Sequence, residues 1–125
     1  MIDDSGIFFD EKEEALVEKV IENFLILLTE EKSRMTSRKQ IEDSQIDFDI
    51  KCCRETLEKI YDAPTLNAFD IQVIYIAATK HLDFLNRLLK NPSVNYVQKI
   101  RNEKVAITVV INKIEPTYLS LKQQQ

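Results

Sequence analysis

The sequence predicts an all-α fold, an antiparallel bundle of four main helices with a short extra helix and an N-terminal arm. Three observations predict it. Four segments carry apolar residues at helical spacing behind N-capping signals. The chain of 125 residues holds a single glycine, Gly6, where a sheet of this size needs several glycine-rich turns. The first, third and fourth periodic segments are of matched length, about 33–36 Å at 1.5 Å per residue. With short connections between them they read as antiparallel neighbours.

Residues 1–10, MIDDSGIFFD, hold the apolar Ile7, Phe8 and Phe9 without helical period and are expected to lie across the first helix as an arm. From Glu11 to about Lys32 apolar residues fall at Leu16, Val20, Phe24 and Leu28, with Val17, Ile21 and Leu25 beside them. Asp10 is the expected N-cap, and Glu11, Glu13 and Glu14 complement the positive end of the helix dipole. The second half, FLILL, is apolar on every face and should be covered on more than one side.

Ser37 followed by Gln40 has the form of a capping box and predicts the short helix, through Ile41 to Asp43. Ser44 followed by Asp47 repeats the signal and predicts a longer helix to about Asp62. Ile46, Ile50, Cys53, Leu57, Ile60 and Tyr61 form its stripe, with Cys52 one step round. Ala63-Pro64-Thr65 breaks the chain. Asn67, with Asp70 three residues on, caps a third helix to about Lys90, whose stripe is Ile71, Ile74, Ala78, Leu82, Leu85 and Leu89, broadened by Val73, Ala77, Phe84 and Leu88. Pro92 suits a first helical position. The fourth helix is expected from about Ser93 to Glu115, with Val97, Ile100, Ile107, Val110, Ile111 and Ile114 on one side. Pro116 should stop it and leave 116–125 as a frayed tail. The competing expectation is a small sheet, because residues 46–50 alternate with period two and 105–111 are β-branched.

Composition bounds the function. An apolar fraction of 44% with 30% charged residues describes one folded domain over 1–125. A net charge of -4 provides no global field for a phosphate backbone. The first residues lack the order of a signal peptide, no apolar run is long enough to span a bilayer, and two adjacent cysteines make no disulfide framework. The expectation is therefore a cytoplasmic protein with no membrane association.

One histidine and two neighbouring cysteines do not supply the three or four ligands of a zinc site, so no metal and no cofactor is expected. His81 lies near an apolar stripe and reads as a partly buried, hydrogen-bonded residue. Neighbouring Cα atoms sit about 3.8 Å apart, short of the span of a bridged pair, so Cys52 and Cys53 are expected free. A catalytic thiol would also need a base and an oxyanion site, and no catalytic residue is assigned.

Glu11/Glu14 and Glu55/Glu58 are Glu-x-x-Glu pairs, each on one face of its helix. In outline they resemble the all-helical nucleotide pyrophosphatases. The resemblance rests on these four residues, without the basic partner residues, and implies Mg²⁺-dependent nucleotide hydrolysis as a third reading. Among 21 acidic residues a solvated helix face is the plainer account.

The second reading is DNA binding. Residues 37–61 look like a generic helix-turn-helix, with Arg38, Lys39, Lys51 and Arg54 placed to meet phosphates. The turn lacks its usual glycine, and Asp49, Glu55 and Glu58 would face the backbone as well. The preferred reading is a non-enzymatic interaction module, a small adaptor, inhibitor or immunity-type regulator that binds a protein partner. Its candidate contact residues are Phe24, Leu25 and Leu28 with Val105 and Val109. They lie on segments more apolar than a four-helix monomer can hide, which makes a homodimer the expected cover.

Overall fold

Four helices account for nearly all of the chain that the computed structural model describes, residues 7–34, 40–62, 66–91 and 95–123. In order they are α1 (Glu11–Arg34), α2 (Gln40–Asp62), α3 (Ala68–Leu89) and α4 (Val97–Gln123). No strand occurs among the described residues, so 46–50 and 105–111 are helical and the small sheet is set aside.

Capping explains two of the helix starts. At α1 the Glu13 amide donates to Asp10 Oδ1 at 2.8 Å and the Asp10 amide donates to Glu13 Oε1 at 2.9 Å, a reciprocal box around the first turn. At α3 the Asp70 amide donates to Asn67 Oδ1 at 2.9 Å, and the Asn67 amide donates to Asp70 Oδ2 at 2.8 Å.

Three expected boundaries are corrected. No helix ends at Asp43 and none begins at Ser44, because α2 runs unbroken from Gln40. Asp47 is not spent on a cap there, since it accepts from Lys32 of α1. Ser37 lies outside the described residues. α4 begins at Val97 and not at about Ser93, since residues 95 and 96 are not helical. Nor does α4 stop before Pro116. Proline inside a helix removes one backbone hydrogen bond, at roughly 3 kcal/mol. Continuation past it places Tyr118 on Tyr75, rings stacked with centroids 4.0 Å apart, and packs Leu121 against the core. The expected frayed tail is thus ordered helix as far as Gln123.

The core is one cluster fed by all four helices. Val17, Val20 and Ile21 of α1 meet Ile71, Ile74 and Ala78 of α3 and Ile107, Val110 and Ile114 of α4, with Ile46, Ile50 and Cys53 from α2. α3 packs against all three other helices, most extensively against α4. The arm enters the same core: Ile7 and Phe9 pack against it, and the Phe8 carbonyl accepts from Lys113 Nζ at 3.0 Å.

Polar groups tie the helices at defined levels. Lys113 pairs with Glu13 at 2.6 Å and Lys19 with Glu103 at 2.7 Å, so positions rising along α1 meet positions falling along α4. Tyr75 donates to Glu115 at 2.9 Å, which raises the Tyr75 pKa, chiefly through that hydrogen bond. Between α2 and α3, the buried Asp70 accepts from Thr56 at 2.7 Å and from Lys59 at 2.9 Å.

Candidate functional site

A groove of about 510 Å³ lies between α1 and α3, lined on α1 by Val20, Asn23, Phe24, Ile26 and Leu27, and on α3 by Ala77, Lys80, His81, Asp83, Phe84 and Arg87. Helical spacing builds both walls. Val20, Phe24 and Leu27 fall at i, i+4 and i+7, as do Ala77, His81 and Phe84, so each set forms one stripe facing the other helix. Val20 and Ala77 are buried and make the floor. Ile26, Leu27 and Phe84 stand at the rim with 57%, 55% and 48% of their surface in water. Lys80 Nζ lies 5.8 Å from the centre of the Phe24 ring, a cation–π contact across the groove.

One side of the groove is fixed by a polar junction of three helices. His81 Nε2 of α3 lies 2.6 Å from Glu103 Oε2 of α4, and Glu103 Oε1 accepts from Lys19 of α1. Burial pushes the Glu103 carboxyl up, but the hydrogen bonds from Lys19 and His81 outweigh it and leave the group below its ordinary value. An ionised carboxylate only accepts, so Nε2–H is the donor and His81 is held in one orientation. His81 is buried and hydrogen-bonded, as its place near the stripe suggested.

The predicted contact residues divide. Phe24 lines the groove. Leu25 is half-buried against the core, and Leu28 is buried within it, so Leu28 is withdrawn as a surface contact. Val105 and Val109 are exposed on α4, at 65% and 41%, and do not line the groove. Sequence reasoning missed Ile26, Leu27 and Phe84. The run FLILL did mark the right part of α1. The spacing puts Phe84 on the broadened α3 stripe, yet it stands 48% exposed at the lip of the groove. A smaller exposed apolar feature joins α2 to α3: Phe48 and Phe69 meet edge to face at 5.4 Å.

The other candidate residues do not assemble. The helix-turn-helix at 37–61 has no turn, because α2 is continuous through 44–46. Arg38 and Lys39 lie outside the described residues. Lys51 and Arg54 are exposed and line a second depression, of about 410 Å³, that also holds Lys32, Asp47 and Glu55, a surface of mixed charge. Among the described residues no three His, Cys, Asp or Glu side chains come together as a cation site, so Glu11/Glu14 and Glu55/Glu58 do not converge.

Cys52 is buried along with Cys53, which corrects its expected place off the stripe. Burial raises both thiols, Cys53 to about 12, and the neighbouring carboxylates of Glu55 and Asp49 push Cys52 the same way. Neither is poised as a nucleophile, since the reactive form is the thiolate. No helix among the described residues is long and apolar enough to cross a membrane.

No protein-family model matches the chain, and no curated protein or solved structure is significantly similar to it.

Proposed function

We infer that the protein is a non-enzymatic interaction module, a small adaptor, inhibitor or regulator that binds another protein through the α1–α3 groove. The observation that carries this reading is the grouping of Ile26, Leu27 and Phe84, exposed at the lips of one apolar cleft. Contiguous exposed apolar surface of this kind marks contact sites more often than isolated side chains do. The reading takes the four helices as an antiparallel bundle, supported by the Glu13–Lys113 and Lys19–Glu103 pairs. It takes the compartment as cytoplasmic, which the two unbridged cysteines suit.

The experiment is comparative capture from the source lysate with the full chain, its Leu27→Glu variant and a Lys51→Glu control on the far depression. A partner held by the wild type and the control but lost with Leu27→Glu is the expected result. The same proteins retained by all three would remove the groove from the reading.

A further inference from the structure

The groove favours one class of occupant by its length, its area and its charge. Its α3 wall runs from Ala77 to Arg87, ten residues apart, about 15 Å of helix. An amphipathic helix that anchors apolar side chains at i, i+3 or i+4, and i+7 needs about 10 Å. Three anchors therefore fit with roughly a turn to spare. The three rim side chains expose a few hundred Å² of apolar surface. A stable dimer buries about 800 Å² per partner, so a second copy seated on this groove alone falls short.

Charge narrows the choice further. Lys80, Asp83 and Arg87 fall at i, i+3 and i+7 and form one stripe along the α3 rim, positive at both ends and negative between. The α1 wall contributes Asn23 and no charged group. Asp83 and Arg87 are exposed, and neither forms an ion pair among the described residues. The Arg87 guanidinium presents a planar fork of donors suited to a carboxylate.

We propose that the occupant is an amphipathic helix of another protein whose two-turn apolar stripe is flanked by a carboxylate at each end, one facing Lys80 and one facing Arg87. The proposal rests on the reading of the groove as a protein-docking site and adds the chemistry of the partner. Apolar anchors supply the affinity. The charge stripe sets register and direction, the role such groups have at a contact rim.

The test uses the full chain and three fluorescent synthetic helices with identical leucine anchors and flanking residues of glutamate, lysine or glutamine. Anisotropy is read at about 50 and 300 mM salt, because a rim effect fades as the screening length shortens. The glutamate helix should bind roughly tenfold tighter than the lysine helix at low salt, with a smaller ratio at high salt. Lys80→Glu with Arg87→Glu should reverse the order. Leu27→Glu, or Phe84→Lys as a second groove variant, should abolish binding of all three while the helical circular dichroism is unchanged. Equal affinity for the three helices, still dependent on Leu27, overturns the charge proposal and leaves the groove reading standing. Binding of none, or binding indifferent to both groove variants, overturns the groove reading and the proposal with it. A concentration-dependent dimer in sedimentation that Leu27→Glu dissolves makes the occupant a second copy and also overturns the proposal.

Discussion

Replacing Asp70 by alanine should destabilise the fold more than any other single loss of a polar side chain. Asp70 is 2% exposed, and its two oxygens accept three hydrogen bonds, from the Thr56 hydroxyl, the Lys59 ammonium and the Asn67 amide. Removal leaves the fully buried Thr56 hydroxyl without its acceptor, at about 1–3 kcal/mol for an unsatisfied buried group. The capping box at α3 is halved, worth about 1 kcal/mol. Lys59 keeps partial contact with water and loses about 1 kcal/mol or less. The sum is about 2–5 kcal/mol, a large share of the 5–15 kcal/mol typical of a domain. For a chain of this length that corresponds to a fall in Tm of about 8–20 °C. Urea titration followed by circular dichroism measures it, with the m-value checked for two-state behaviour. Asp70→Asn, which keeps the volume and one acceptor oxygen, should lose about half as much. Thr56→Val in the Asp70→Ala background should cause little further loss, because the hydroxyl it removes is already stranded. A loss below about 1 kcal/mol for Asp70→Ala would refute the accounting.

Other outcomes follow from the same physical reasoning. Leu27→Glu should change stability by no more than about 0.5 kcal/mol, whereas Leu28→Ala one position on should cost about 2–5 kcal/mol; comparable urea shifts for the two would make Leu27 a core residue. Both cysteines should resist alkylation until the chain unfolds, and with Cys53 raised from 9.0 to about 12 its contribution to stability is complete below pH 9 and declines as pH rises from there toward 12. Urea midpoints at pH 8 and 10.5 for the wild type and Cys53→Ala isolate that decline, and parallel shifts in the two proteins would contradict it. Glu103 is held below its ordinary 4.5, so its contribution is present above that value and is lost as pH falls through the depressed one; Glu103→Gln should flatten the acid limb of the stability profile. Pro116→Ala should stabilise the fold by about 1–3 kcal/mol by restoring a hydrogen bond inside α4, read as a higher urea midpoint, and an unchanged or lower midpoint would contradict it.

What the sequence made legible is what is local. The caps at Asp10 and Asn67 need only two side chains three residues apart, and both form. The stripes of α1, α3 and α4 need only a repeat of 3.6, and Val20, Ile74, Ala78, Ile107 and Ile114 are buried where the repeat puts them. Signals that compete with neighbours failed. Ser44 resembles a cap, but the helix before it continues and Asp47 has Lys32 as its partner. Pro116 resembles a stop, yet the contacts of Tyr118 and Leu121 beyond it outweigh one missing hydrogen bond. Thr56 and Cys52 fell outside the expected core because burial there depends on α3: Asp70 gives the Thr56 hydroxyl a partner that hydropathy does not register.

The groove was the least legible feature, and its origin lies in how far each helix extends. Glu103 of α4 stands opposite Lys19 of α1. From Glu103 back to the start of α4 at Val97 is six residues, about 9 Å, while α1 continues eight residues from Lys19 to Leu27, about 12 Å. Because positions fall along α4 as they rise along α1, α4 ends before it draws level with Leu27. α2 flanks α1 from the Lys32–Asp47 pair back to Glu14 beside Ile60, and none of its described residues lines the groove. Ile26 and Leu27 therefore lie on the side of α1 that neither α2 nor the described part of α4 covers, beside α3, where Ala77 and Phe84 leave a cleft. An apolar run that reads as over-buried in the sequence becomes one wall of an open site because a neighbouring helix stops short. That places the origin of the groove in helix lengths and positions, which no local motif encodes.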